Sequence, residues 1–564
     1  SLASLFDPAL RFQQAYAEYL RTRFRYLPCP SPRTALASEW VEPRGLVAAL
    51  ARGARVVITG APGSGKTTTL MYLAVAAARA LLENSQSQVP LFFSARDESS
   101  LPHIYDLPRG LNLSDALSAQ TPRIFFASAF ATRRALVLLD DADALAPDAR
   151  HAALKEYQNA TIIASAETAL PDFAEYRLPG FRDGDIETFA KHLDAQTAAA
   201  FLSALKANNV PRFLTANPMT LNLLARVWRS DTPLPTRRTD LFDAYTRELL
   251  GDAGETIKML EAIALAMQRD RAASNESPRG VARSRGFLRA AKNRTVEFAH
   301  ESWQAYFAAR ALRETAEFAL LRQHLADPMW CETLLFYAGL GDATELVLNL
   351  QSQGDALLAA RAVAHARDLR ADLRAAVMRD LKERAWSGDP RALAILGELN
   401  NSALVDDWAA KLKDADPNVR LRAAEMLGRL QTDRGVDYLL PHLRDANADV
   451  RDTVVEALGH ARTDRVIEPL LVALRGDARV GVPDVRLRVA AANALGEIAS
   501  DKALPALVVD LQTGEPEVRA AAANALKRIH SPLLIEPLRG LAQSADDELR
   551  RYAEEILLVV NGRN

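Results

Sequence analysis

Residues 60–67 read Gly60-Ala61-Pro62-Gly63-Ser64-Gly65-Lys66-Thr67, the spacing G-x-x-x-x-G-K-[ST], between the apolar run Val56-Val57-Ile58 and the helix-forming stretch Thr68 to Ala74. These residue types at this spacing make a phosphate cradle. Glycines let the backbone curl so that several N–H groups and a helix N-terminus face one anion, Lys66 adds a point charge, and Thr67 offers a hydroxyl to Mg²⁺. The expected nucleotide-binding residues are therefore Gly60, Pro62, Gly63, Ser64, Gly65, Lys66, Thr67 and Thr68, with ATP or ADP and Mg²⁺ as cofactors. An apolar strand ending in acid should complete the site, and Ala135-Leu136-Val137-Leu138-Leu139-Asp140-Asp141-Ala142-Asp143 supplies one, with Asp140 lying 74 residues after Lys66. Asp140 is the expected metal partner beside Thr67. Asp143 is the first candidate to position or deprotonate an attacking water and Asp141 the second; the competing reading has both acids capping the next turn.

Such a cradle needs a strand to enter it and a helix to leave it. From Arg55 to about Leu178, short apolar runs (Val56 to Thr59, Leu91 to Ser94, Leu136 to Asp140, Thr161 to Ala164) alternate with helical stretches. That alternation predicts a parallel sheet covered on both faces, with phosphate chemistry at the carboxyl ends of its strands. Ahead of it, residues 1–30 read as a helical arm with Phe12, Tyr16, Leu20 and Phe24 at helical spacings, and Pro28, Pro30, Pro32 and Pro43 predict a linker. Downstream of Pro179 the strands stop and helices dominate.

Composition bounds the partners. A chain of 564 residues exceeds what one hydrophobic core organises. With 69 basic and 71 acidic residues the net charge is −2, so no global field draws nucleic acid or a membrane. Cys29 and Cys331 are the only cysteines and lie 302 residues apart, which fits a reducing compartment and neither a disulfide framework nor a zinc site. No apolar run reaches the roughly 18–20 residues needed to span a bilayer, and Ser1-Leu2-Ala3-Ser4 lacks the charged start of a secretory leader, so the expected location is cytoplasmic. The first residue is not Met, which fits a chain whose upstream segment has been removed.

The helical half repeats itself. Asp416-Pro417-Asn418-Val419-Arg420 returns as Ala448-Asp449-Val450-Arg451, Pro483-Asp484-Val485-Arg486, Pro516-Glu517-Val518-Arg519 and Asp547-Glu548-Leu549-Arg550, so the arginines step by 31, 35, 33 and 31 residues. Each motif opens an Ala- and Leu-rich helix, and each unit holds a second helix, a solenoid period. The acid before each Val-Arg should cap its helix, the Val pack inward, and the small residues let helices approach closely. The pattern resembles HEAT repeats of the short type. Acids paired with nearly every repeat arginine argue against nucleic acid as its partner.

Two further segments add a second resemblance: Asn217-Pro218-Met219-Thr220-Leu221-Asn222-Leu223-Leu224-Ala225, and Val296-Glu297-Phe298-Ala299-His300-Glu301-Ser302-Trp303-Gln304-Ala305-Tyr306-Phe307-Ala308-Ala309-Arg310. With the order of motifs, they resemble the NACHT branch of the STAND signalling ATPases, the nucleotide module of NLR-type receptors, from about Tyr16 to Leu340. Trp330-Cys331-Glu332-Thr333-Leu334-Leu335 resembles a segment usually found after that module. The resemblance implies that Pro218 lies against adenine and that His300, from the winged-helix domain, contacts the ADP β-phosphate in a closed state. It implies a multidomain fold, an α/β P-loop NTPase domain followed by all-α helical and winged-helix-like domains and an α-solenoid. The expected divisions are 1–40 helical arm and linker, 41–180 nucleotide-binding domain, 181–245 helical domain, 246–320 winged-helix-like domain, 321–405 helical connector and 406–564 HEAT solenoid.

The departures from that pattern bear on turnover. The family's acidic strand continues Asp-Gly-x-Asp-Glu, whereas this chain has Asp140-Asp141-Ala142-Asp143-Ala144; the strand that ends Thr-Ser-Arg there reads Ala164-Ser165-Ala166-Glu167 here. Without a γ-phosphate-side cation the transition state is less stabilised, so slow ATP hydrolysis or none is expected. The segment from Gly254 to Phe298 is short for a full winged helix. The implied function is a nucleotide-controlled signalling switch, closed with ADP and open with ATP. The HEAT solenoid would be its sensor for a protein trigger or effector, and self-association would follow opening; in bacteria the resemblance implies antiphage defence. An ATP-driven remodelling motor and a HEAT scaffold with a structural nucleotide are the alternatives.

Overall fold

The computed structural model describes residues 8–23, 55–60, 62–95, 101–107, 125–270 apart from 179, 182, 192, 194, 209 and 252, then 284–290, 295–398 and 402–561 apart from 431, 462, 477–483 and 530. The linker expected around 28–45 and Cys29 lie outside these residues.

Five parallel strands form the first unit: β1 (Arg55–Thr59), β2 (Val89–Ser94), β3 (Ala135–Asp140), β4 (Thr161–Ala166) and β5 (Ala174–Arg177), in spatial order β2-β3-β4-β1-β5. The near-continuous apolar runs of β1 to β4 follow from burial on both faces. β4 separates the strand that enters the glycine loop from the strand that ends in Asp140. Helix α1 (Pro8–Arg23) is part of this unit: Phe12, Tyr16 and Leu20 are buried, Tyr16 stacks edge-on to Phe126, and its hydroxyl donates to the Pro90 carbonyl at 2.7 Å. Helices α2 (Lys66–Glu83) and α3 (Pro147–Glu156) follow β1 and β3.

The remainder is largely helical and includes α4 (Pro218–Val227), α5 (Arg238–Leu250), α6 (Gly254–Asp270), α7 (Glu301–Glu314), α8 (Cys331–Leu340) and α9 (Ala356–His365) ahead of the repeats. The expectation that strands stop at Pro179 is corrected by an antiparallel hairpin of β6 (Leu288–Ala290) and β7 (Val296–Phe298), placed directly before α7. Each of these strands is only three residues long, too short to show an alternating pattern. Phe287, directly before β6, packs edge-on to Trp303 and Phe307 of α7.

Five helices carry the repeats: α10 (Pro417–Leu430), α11 (Ala448–Ala461), α12 (Val485–Ile498), α13 (Pro516–Ile529) and α14 (Asp547–Asn561). The first four approach one another closely at glycines. A Cβ placed on Gly428 would stand 2.5 Å from Ala457 Cα, one on Gly459 2.8 Å from Ala494 Cβ, and one on Gly496 2.7 Å from Ala525 Cα. The structure corrects the repeat register: the residue equivalent to Arg420 and Arg451 is Arg488, not Arg486, so the steps are 31, 37, 31 and 31, and the additional residues fall at 477–483, outside those described. In this register each of the first four arginines pairs with an acid at the start of the next unit. Arg420 grips Asp445 through Nε and Nη2 at 2.9 and 2.8 Å, Arg451 reaches Asp484 at 3.0 Å, Arg488 reaches Asp510 at 2.7 Å and Glu515, and Arg519 reaches Asp546.

Capping also differs from expectation. Asp416 and Asp484 accept backbone N–H groups at their helix starts, but in the second unit Asn447, not Asp449, accepts from Val450 at 3.1 Å, and in the fifth Asp546, ahead of Asp547 and Glu548, accepts from Leu549. Val450, Val518 and Leu549 are buried as expected, whereas Val419 and Val485 are half-buried.

Two separate hydrophobic cores result. One spans Phe12 to Leu178 around the sheet; the other runs without a break from Ile186 to Val560, through the helical part and the whole solenoid.

Candidate nucleotide-binding site

Gly63 and Gly65 adopt φ of 76° and 96°, a left-handed conformation costly for a residue with a side chain. That turn delivers the chain into α2, whose N-cap Gly65 offers no side-chain cap, so the first-turn N–H groups are left to an outside acceptor. Lys66 is buried and its Nζ donates to the Gly60 carbonyl at 2.6 Å, placing its charge inside the loop. Ser64 Oγ is buried without a hydrogen-bond partner among the described residues. Left-handed glycines, uncapped N–H groups, a buried ammonium and an orphaned hydroxyl all fit a bound phosphate chain.

At the end of β3, Asp140 is almost fully buried and its Oδ1 accepts from Thr67 Oγ1 at 3.1 Å and from Ser165 Oγ at 2.6 Å. One carboxylate next to one hydroxyl, rather than a cage of three or more ligands, suits Mg²⁺, which keeps waters and takes the rest of its shell from phosphate. Among the described residues no group of three metal-ligating side chains exists. When bound, Mg²⁺ would neutralise phosphate charge. Thr67 and Asp140 would hold it, with Ser165 orienting the carboxylate.

The two remaining acids separate. Asp141 turns the chain with φ 53° and ψ 48°, and its N–H donates to Ser165 Oγ at 2.9 Å. Asp143 is exposed, and its Oδ2 accepts from the Glu167 N–H at 2.8 Å. Neither side chain caps the turn that follows β3; Asp143 instead ties that turn to the end of β4.

The second core meets the loop at one corner. Asn217 Nδ2 donates to the Pro62 carbonyl at 3.0 Å and the Met219 N–H to the Gly63 carbonyl at 3.3 Å. Pro218 stands at the first position of α4, its Cγ 4.0 Å from where a Cβ on Gly65 would lie. The loop, Asp140 and residues 217–219 thus form one constellation. His300 stands at the N-cap of α7, where Nδ1 accepts from the Ser302 N–H at 3.1 Å. An accepting Nδ1 puts the proton of neutral imidazole on Nε2.

Sequence reasoning did not assign Ser165 or Asn217. A hydroxyl residue inside the apolar run Ile162-Ile163-Ala164 and an Asn beside Pro were the available signals, but which acid or carbonyl each would meet depends on strand order and on a contact 155 residues apart in sequence.

Residues 54–172 match the NACHT domain family, and residues 405–482 and 478–558 match HEAT repeats. The chain thus carries a NACHT domain, of the P-loop NTPase type, and C-terminal HEAT repeats. A NACHT domain is a nucleotide-binding, regulatory NTPase module, and HEAT repeats generally mediate protein–protein interaction. No curated protein matches the chain by sequence. Among solved structures, the complex of CpcE and CpcF of phycocyanin lyase from Nostoc sp. PCC7120 is 22% identical over 28% of this chain and 64% of that one, with a TM-score of 0.23. An engineered protein is 24% identical over 34% and 92%, TM-score 0.24, and human deoxyhypusine hydroxylase in complex with glycerol is 17% identical over 38% and 99%, TM-score 0.14. No helix of the described residues is long and apolar enough to cross a membrane.

Proposed function

We propose that the chain is a STAND-type molecular switch in which Mg-nucleotide at the Gly60–Thr68 loop decides whether the sheet unit and the helical unit close on one another. One observation carries this reading: the loop stands where two separate hydrophobic cores meet, and polar bonds from Asn217 and Met219 join it to the far side. Polar contacts across such a seam are exchanged for water or ligand contacts at small net cost, whereas a shared core is not. Lys66, Thr67 and Asp140 would hold phosphate and metal, Pro218 would lie against adenine, and His300, donating from Nε2, would latch the ADP form. Asp143 would act in slow hydrolysis, with no cationic residue at the end of β4, where Glu167 stands. The solenoid would receive a protein trigger, opening would permit self-association, and the role would be cytoplasmic defence signalling, against phage in a bacterial host.

The test is the nucleotide that the purified chain retains, identified after denaturation, and the hydrodynamic radius in ADP against ATP. Retained ADP with a compact form that expands or assembles in ATP is expected. Equal shape in both nucleotides overturns the switch, and brisk basal turnover identifies a motor instead.

A further inference from the structure

His300 is connected, by consecutive polar contacts, to helices that lead into the solenoid. Its Nδ1 accepts from the Ser302 N–H, and Ser302 Oγ, fully buried, accepts from Arg238 Nη2 at 3.1 Å. The same guanidinium group forms an ion pair with Glu332 Oε2 at 2.6 Å and lies over the Phe336 ring at 4.6 Å, both on α8. Arg361 and His365, on α9, stand at the far end of this group: Arg361 Nη1 lies 3.6 Å from Cys331 Sγ, and both residues bear electrostatically on Glu332. Burial alone would raise the Glu332 carboxyl, but Arg238 and then Arg361 outweigh it and hold it ionised. The Cys331 thiol is pushed up by burial first, with Glu332 and Glu167 adding to the effect. Glu167 directly follows the last residue of β4, so the start of α8 lies within electrostatic range of that strand end.

We propose that Arg238 and Glu332 are positioning residues that tie the His300 latch to the connector helices α8 and α9, so that movement of the connector withdraws His300 from the nucleotide. This rests on the switch reading, and it adds the route by which the helical side reaches the latch. Arg238 is suited to the hub: one planar fork serves the α7 N-terminus and a carboxylate on α8 together. Ser302 is the link that joins α7 to it. Two buried charges that answer each other within one cluster move as a body, because separating them leaves an ion without a counter-charge.

The test measures release of a fluorescent ADP analogue from the full-length chain in a double-mutant cycle. Ser302→Ala removes the Arg238 bond while the backbone N–H still caps through His300, and it leaves the Arg238–Glu332 ion pair in place. Release should speed up about fivefold in Ser302→Ala, the factor expected from one lost hydrogen bond, and at least as much in His300→Ala. The double variant should release no faster than His300→Ala alone, because a residue acting only through the latch has no effect once the latch is gone. Glu332→Gln, a near-isostere, is the second variant and should behave as Ser302→Ala does. Additive acceleration, or an unchanged rate in Ser302→Ala and Glu332→Gln while His300→Ala is fast, overturns the relay and leaves the switch standing. A purified chain that holds ADP and ATP with the same shape overturns the switch itself, whatever the cycle shows.

Discussion

Asn217 serves both sides of the seam with one amide: Nδ2 donates to the Pro62 carbonyl at 3.0 Å, while Oδ1 accepts from the Met219 and Thr220 N–H groups at 3.0 and 3.3 Å. Capping α4 and gripping the glycine loop are therefore coupled, since the helix that begins correctly also presents Pro218 to the loop.

The two roles separate by substitution. Asn217→Ser keeps a capping oxygen, which serves nearly as well as Asn, and removes the donor that reaches Pro62. Thermal stability should fall by less than about 1 kcal/mol. Nucleotide release should be several-fold faster, on the order of one lost hydrogen bond. Stopped-flow release and calorimetry of the same sample decide it, and unchanged release in Asn217→Ser excludes the corner from control of the site.

Ser165 gives the metal side a separate prediction. Its hydroxyl donates to Asp140 and accepts from the Asp141 N–H, so Ser165→Ala frees the carboxylate to rotate and leaves the Asp141 N–H seeking an acceptor. Mg²⁺-dependent nucleotide affinity should drop several-fold, with affinity in EDTA unchanged. Asp143→Asn should bind nucleotide as the parent does and hydrolyse it more slowly still. If Asp141→Asn alone slows hydrolysis and Asp143→Asn does not, the catalytic assignment passes to Asp141.

The loop, Asp140, four of the five sheet strands and the solenoid were legible from short-range pattern, because each is a local demand of backbone geometry or burial; β5, mostly exposed, carries no apolar run. The β6–β7 hairpin was not, since three residues per strand carry no period and only the aromatic packing against Trp303 makes the hairpin worthwhile. The Arg488 register was hidden because Val485-Arg486 mimics the motif two residues early, and only the ion pair to Glu515, at the start of the next unit, reveals which arginine faces that unit. Asp143 looked like a cap or a catalyst, and its bond to Glu167 depends on β4 lying beside β3.

His365 carries a pH prediction. Burial, then Arg238 and Arg361, push its imidazole down from 6.5 to about 3. Between those values the unfolded chain binds a proton that the folded chain does not, so stability is full above about 6.5 and falls as pH drops towards 3. His365→Gln should flatten the fall between pH 6.5 and 4.5, a window above the range in which Glu332, whose carboxyl is also held low, begins to protonate. Denaturant midpoints at matched pH check this, and an unchanged slope in His365→Gln assigns the acid sensitivity to another group.

The solenoid prediction rests on the continuity of the second core. Because buried side chains run unbroken from Ile186 through the repeats to Val560, strain placed in the stack is transmitted on the Asn217 side of the seam and not through the sheet. Gly496→Val sets a branched side chain where even a Cβ would stand 2.7 Å from Ala525 Cα, so α12 and α13 must separate, at a cost of roughly 1–3 kcal/mol. Repeat arrays confine most of such a loss to neighbouring units. Calorimetry should therefore show the helical transition lowered and the transition of the nucleotide-bound sheet unit retained. If the solenoid regulates the switch, ADP release from the variant should also change. A lowered helical transition with identical ADP release and identical assembly in ATP would mean that the repeats recruit a partner without controlling the nucleotide.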